Sequence, residues 1–244
     1  MPKFFVSPAE VQENFLVLTG ENAAHARVLR IQCGETVTVC DGAGQDLTCV
    51  VSDVSPGQIS LVVERRETSR SEPLVFCSVY MAYAKADKLE HVIQKATELG
   101  ACEIVAFPSG RCVSRPDEKT LAKKKERWQK IAASAAEQSG RGRIPEVLTA
   151  GSFQEAVQRA VKAELPLFPY ENERTVSLRT AIGPAKFQTA SIMTGPKGGF
   201  SEGEVRMAAQ AGMKICSLGP RILRCETAPL CALSAVLYAA GALD

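Results

Sequence analysis

In the run SLGPRILRCETA near the carboxyl end, Arg221 and Arg224 lie three residues apart and Glu226 follows two residues later. Guanidinium groups at that spacing share a side if the turn is helical, and they could stabilise negative charge developing on a substrate. A carboxylate beside them could accept a proton. A structural ion pair between Arg224 and Glu226 is the competing reading. Cys225 would be a nucleophile only with a neighbour that activates its thiolate, and nothing adjacent does so. The two histidines, His25 and His91, fall in distant segments, so no Ser-His-Asp or Cys-His arrangement can be assembled. Nine cysteines form no CxxC pair, and with only two imidazoles no metal-ligand set is expected.

Two glycine turns accompany these residues. The apolar run 191–194, ending at Thr194, leads into Gly195-Pro196-Lys197-Gly198-Gly199, and a helix opens at Ser201. A second apolar run, 214–218, ends at Leu218 and meets Gly219-Pro220. Ligands of α/β proteins bind beyond the carboxyl ends of strands, so two such junctions point to one pocket. Neither GxxxxGK[ST] nor GxGxxG is present, and no Ser or Thr follows Lys197 as a magnesium ligand. Ser201 with Glu204 three residues on forms a capping box, which already satisfies part of the helix N-terminus. A nucleoside triphosphate is therefore disfavoured. A neutral or zwitterionic small molecule held by backbone groups fits better, with Ile222 and Leu223 as an apolar wall for a flat ring.

The elements that must position these residues change in texture along the chain. Residues 1–72 read as β-rich: runs at 15–18, 36–40, 47–54 and 59–64 are separated by turns at 41–44 and 55–57, with one helix at 21–29. A small β-barrel domain is expected there. Polar residues 67–72 form a linker ahead of Pro73. Residues 73–244 alternate strands and helices, with at least five strands near 75, 104, 167, 192 and 215. That pattern predicts a mostly parallel sheet with helices on both faces. The helix at 87–99 repeats Leu89, Val92, Ile93, Ala96 and Leu99 on one face, with Asp87 and Glu90 as a capping pair and Gly100 as its stop. Helices are also expected at 119–139, 152–164 and 228–240, and residues 172–183 read as irregular.

Composition is that of a globular protein, and its information lies in the distribution of charge. Residues 1–72 carry 6 basic and 10 acidic side chains, whereas residues 111–145 carry 10 basic, including Arg111, Arg115, Arg141 and Arg143, and 4 acidic. A surplus of that size suits a phosphate-rich partner, or else it is a solvated helix face. Glycines 140 and 142 flank Arg141 on adaptable backbone, and His25, Arg27 and Arg30 cluster at the end of the early helix. The apolar stretch 228–243 is too short for a bilayer, so no membrane association is expected. The odd count of thiols, with no signal peptide, favours a reduced cytoplasmic protein.

GPKGGFS followed by SLGPRILRCETA resembles the signature of the knotted SPOUT methyltransferases, and within them the 16S ribosomal RNA (uracil-1498-N3)-methyltransferase family. Further stretches in the matching order are 25–30 with the DGAG turn, LEHVIQKATELG at 89–100, and RWQKIAASAAEQSGR at 127–141. The resemblance implies a homodimer of two-domain chains: a PUA-like β-barrel at 1–72 and a knotted α/β methyltransferase domain at 73–244. It implies S-adenosyl-L-methionine as cofactor, bound by Tyr170, Glu171, Thr194, Gly195, Pro196, Gly199, Leu218, Gly219, Ile222 and Leu223. It implies Arg221, Arg224 and Glu226 at the reacting uracil, with Glu226 as proton acceptor. The implied partner is 16S rRNA in the small ribosomal subunit, touched by His25, Arg27, Arg30, Arg111, Arg141 and Arg143. One departure is Lys197, where the family usually has an acid. Two rivals are a non-catalytic ribosome-assembly factor and a relative acting on transfer RNA.

Overall fold

A computed structural model describes residues 3–12, 14–85, 87–113, 116–184 and 186–243; Arg115 of the basic surplus lies outside the described residues. The chain divides into two compact units, one of Met1–Glu72 with Ala136–Ile144, the other of Pro73–Ala135 with Pro145–Asp244.

In the first unit, strands β1 (Lys3–Phe5), β2 (Phe15–Thr19), β3 (Thr36–Cys40), β4 (Gln45–Ser55) and β5 (Gln58–Thr68) form one sheet in the order β1-β3-β4-β5-β2. Only the β1–β3 pair is parallel. Alternation decides the buried face: Leu16 and Leu18, Val37 and Val39, Ile59 and Leu61 all turn inward around Phe4. Register shifts at Thr48/Cys49 and Val51/Asp53 bend the long β4–β5 hairpin. Helix α1 (Gly20–Val28) contributes Ala23 and Ala26 and leaves its end exposed.

The expected linker is part of this unit. Glu72 receives Arg141 through Nη2 at 2.6 Å and Nε at 3.2 Å, and it accepts the backbone N–H groups of Gly142 and Arg143 at 2.9 and 3.1 Å. The Cys40 thiol donates to Gly142 O, and Lys3 Nζ to Gly140 O. A Cβ on Gly142 would collide with the Ser69 side chain. The segment expected to flex against phosphates is therefore pinned. The Arg141 side chain is only 2% exposed, so it is a structural cation rather than an RNA contact.

The second unit holds an all-parallel sheet: β6 (Phe76–Ala82), β7 (Glu103–Phe107), β8 (Glu146–Thr149), β9 (Leu165–Pro169), β10 (Thr189–Thr194) and β11 (Lys214–Cys216), in the order β11-β9-β10-β6-β7-β8. Its helices are α2 (Lys88–Leu99), α3 (Glu118–Gln138), α4 (Phe153–Ala160), α5 (Leu178–Ile182), α6 (Glu202–Ala211) and α7 (Ala228–Ala239). Helices α4 and α6 share a core with Tyr80, Val105, Phe107, Phe168 and Met193. The alternate residues Val79, Ile104 and Ile192 are equally buried and point the other way. Helix α7 packs on β6, β10 and α2.

Some local expectations fail for physical reasons. Asp87 makes no capping bond to α2, because its backbone is already helical, and Glu90 instead accepts from Arg127 at 2.7 Å. Strand β8, absent from the expected set, is four residues long and follows Pro145. The stretch 172–183, read as irregular, contains α5, and α4 ends at Ala160 rather than 164.

Candidate functional site

The first turn joins β10 to α6. Its return is closed by Gly199 N donating to Pro196 O, with Gly199 at φ 66°. A side chain there would be strained and would also strike the Glu171 carboxylate. Behind the turn the expected capping box forms: Ser201 Oγ accepts from Glu204 N, and Glu204 Oε2 accepts from Ser201 N at 2.8 Å. The other oxygen, Oε1, accepts from Ser109 Oγ at 2.9 Å and Gly110 N at 2.8 Å, tying in the loop that follows β7. Burial opposes ionisation of Glu204, yet these bonds outweigh it and hold its carboxyl below the usual range. From the same loop, Arg111 Nη1 donates to Gly198 O at 2.9 Å. Arg111 thus braces the glycine turn, a role its place in the basic surplus did not signal.

The second turn follows β11. Ser217 Oγ accepts from Gly219 N, and Gly219 takes the left-handed backbone that glycine favours, φ 104°. Arg224 O then accepts from the N–H groups of Thr227 and Ala228 and starts α7. In the sheet β9 lies between β10 and β11, so both turns and the end of β9 converge.

They enclose a cleft of about 690 Å³, within the usual range for small-molecule sites. Every residue expected to hold a cofactor is on its wall: Tyr170 and Glu171 from the end of β9, Thr194 with Gly195, Pro196 and Gly199, and Leu218 with Gly219, Ile222 and Leu223. Arg221 and Arg224 are there too. Both are exposed, and neither guanidinium is hydrogen-bonded or ion-paired among the described residues. Ile222 is 82% exposed, a large apolar side chain left facing an open cavity.

Glu226 is placed differently. It pairs with Lys88 at the start of α2, whose Nζ reaches both carboxylate oxygens at 2.9 and 2.8 Å, and the Cys225 thiol donates to Oε2 at 3.2 Å. The Lys88 bond holds the Glu226 carboxyl down at about 2, which makes it a weak proton acceptor near neutrality. The alternative reading, an Arg224–Glu226 ion pair, is not what forms. Burial pushes the Cys225 thiol up, which disfavours the thiolate a nucleophile needs. Lys88 lies on the cleft wall and was missed because nothing in sequence links it to a partner 138 residues away.

The remaining expected RNA contacts are in the first unit. His25, Arg27 and Arg30 are exposed around the end of α1, where His25 meets Phe4 edge-on at 5.6 Å. Arg143 is exposed beside Gly44, its backbone bridged to Ala43.

Comparison with known proteins places this geometry. Residues 70–237 match the family of RNA methyltransferase domains, and residues 18–64 match that of RNA methyltransferase PUA domains. The ribosomal RNA small subunit methyltransferase E of Bacillus subtilis is 40% identical over 91% of this chain and 89% of its own. The crystal structure of the Neisseria gonorrhoeae protein of the same name, bound to S-adenosyl methionine, superposes with a TM-score of 0.87 at 31% identity, covering 98% of this chain and 97% of that one. A putative methyltransferase from Legionella pneumophila, also with bound cofactor, gives a TM-score of 0.84 at 31% identity over 97% of each chain. The chain belongs to the family of RNA methyltransferases that includes the ribosomal RNA small subunit methyltransferase E proteins.

Proposed function

We propose that the chain transfers a methyl group from S-adenosylmethionine to N3 of a uridine in 16S ribosomal RNA. The observation that carries this reading is the convergence of both glycine turns with Arg221 and Arg224 on one cleft. The wall fits the cofactor. Its backbone groups suit the edge of an adenine, and Ile222 and Leu223 offer a face to cover. The bound cofactor supplies an electrophilic methyl group. The chain's own residues position the base and stabilise charge on the uracil oxygens, through Arg221 and Arg224.

Arg174, Lys197, Arg221 and Arg224 give the wall four cations against one acid, Glu171, beside Lys88, whose charge Glu226 already pairs. That excess suits an RNA strand at the cleft mouth. It also gives Lys197 a place as one more cation facing phosphate. In the first unit, His25, Arg27, Arg30 and Arg143 are the proposed contacts of a PUA-like barrel. The second unit, in this reading, is a trefoil-knotted domain of a cytoplasmic homodimer. The knot rests on the family likeness, and the path from β11 at the sheet edge back to α7 on β6 and β10 is compatible with it.

The test is mass-spectrometric detection of 3-methyluridine in ribosomal RNA with and without this protein. The nucleoside is expected only where the protein is active, and its formation on transfer RNA alone overturns the assignment.

A further inference from the structure

We infer that Glu171 takes the proton from the target base, while Glu226 with Lys88 latches the second turn in place. The inference rests on the reading that uracil N3 is the methylated atom.

That nitrogen carries a hydrogen at neutral pH, so a proton acceptor where the base meets the methyl donor would speed the step over loss of the proton to solvent. Among the described residues one carboxylate, Glu171, lines the cleft, and three on the segments that carry it are occupied. Glu226 is bound by Lys88 and Cys225. Glu204 is bound by Ser109, Gly110 and Ser201. Glu173 accepts from the Thr175 hydroxyl and from the backbone of Thr175 and Val176. Glu171 is the one acidic side chain on the wall, and among the described residues no hydrogen bond or ion pair holds its carboxylate.

Its position follows from the sheet. Glu171 lies just past β9, the strand between those that lead into the two glycine turns. Its carboxylate rests against Gly199, whose missing side chain gives it room: a Cβ there would meet the carboxyl carbon at 3.0 Å. Arg174, Lys197, Arg221, Arg224 and Lys88 face the same space. In the step itself the N3–H bond breaks and its proton passes to the Glu171 carboxylate. The electron pair of N3 forms the new bond to the methyl carbon as the carbon–sulfur bond breaks with its electrons kept on sulfur. The carboxyl group then returns its proton to water. Lys88 and Glu226 act at one remove, by joining α2 to the segment that carries Arg221 through Arg224.

The experiment compares wild type with Glu171→Gln and Glu226→Gln, measuring cofactor dissociation by calorimetry without RNA and single-turnover transfer at saturating cofactor. Because Glu171 also lines the cofactor wall, Glu171→Gln is expected to slow transfer at saturating cofactor at least tenfold beyond any change in the dissociation constant, and measurable cofactor binding shows that the variant is folded. Glu226→Gln, which unties Lys88, is expected to weaken cofactor binding more than it slows transfer. Three results overturn the inference: a loss under tenfold in Glu171→Gln, a loss confined to cofactor binding in that variant, or a larger transfer defect in Glu226→Gln. Absence of 3-methyluridine from the wild-type product sinks the underlying reading instead, and the two failures are therefore distinct.

Discussion

Segments 140–143 and 219–224 each carry two arginines in a glycine-containing turn, and the fold uses Arg141 of the first and the two arginines of the second in opposite ways. In the first, a carboxylate far back in the chain is waiting: Glu72 binds the Arg141 guanidinium and two backbone N–H groups of the same segment. In the second, the nearby carboxylate is claimed by Lys88, so Arg221 and Arg224 remain available in the cleft. An arginine in a glycine-containing turn becomes a binding group when the structure withholds an acid from it. It becomes a strut when an acid is supplied.

The largest expected effect tests the strut. Arg141→Ala leaves the half-buried Glu72 with only backbone donors, and breaking such a pair costs up to roughly 3 kcal/mol. A lowered denaturation midpoint, with faster amide exchange across 136–144 and β3, is expected. Full stability with weakened RNA binding would return Arg141 to the nucleic-acid surface. Next comes the binding group. Arg224→Ala should leave stability unchanged and slow single-turnover methyl transfer at least tenfold, about 1.4 kcal/mol of lost transition-state stabilisation. An unchanged rate would make the second segment as structural as the first.

These contrasts also mark what the sequence made legible. The cofactor wall could be read from it because glycine turns and apolar strand ends are local features. Ser201 with Glu204 was readable for the same reason: donor and acceptor are three residues apart and the box forms as expected. Asp87 with Glu90 has the same local form yet makes no cap, since the Asp87 backbone is already helical and Glu90 pairs with Arg127 in α3. The misread side chains have partners at long sequence separation: Lys88 for Glu226, Glu72 for Arg141, Gly198 for Arg111. Strand β8 escaped notice because four residues give too short a pattern to separate from loop, and its place is decided by pairing with β7.

A smaller effect probes the local device alone. Ser201→Ala removes one acceptor at the start of α6 and should cost about 1 kcal/mol. Glu204 keeps its bonds to Ser109 and Gly110, so the first turn should hold and cofactor affinity should fall by no more than a few-fold. A loss of binding as large as that of a turn mutation would mean that the box, and not the loop after β7, fixes the turn.

The smallest effect separates strain from binding at the end of α1. Arg30 is the one non-glycine residue with positive φ, 57°, among those described, a conformation that costs an ordinary side chain about 1 kcal/mol or more. Glycine would relieve this strain but adds unfolded-state freedom, so Arg30→Gly should change stability by less than about 1 kcal/mol, in the favourable direction. If Arg30 is a phosphate contact, the same change should weaken RNA binding and make its salt dependence shallower by about one unit of slope. The two measurements then move in opposite directions, as expected where backbone strain is retained for the sake of a contact. If stability rises while affinity and salt slope stay fixed, Arg30 is a strained turn residue, and the contact surface of the first unit must be sought at Arg27 and Arg143.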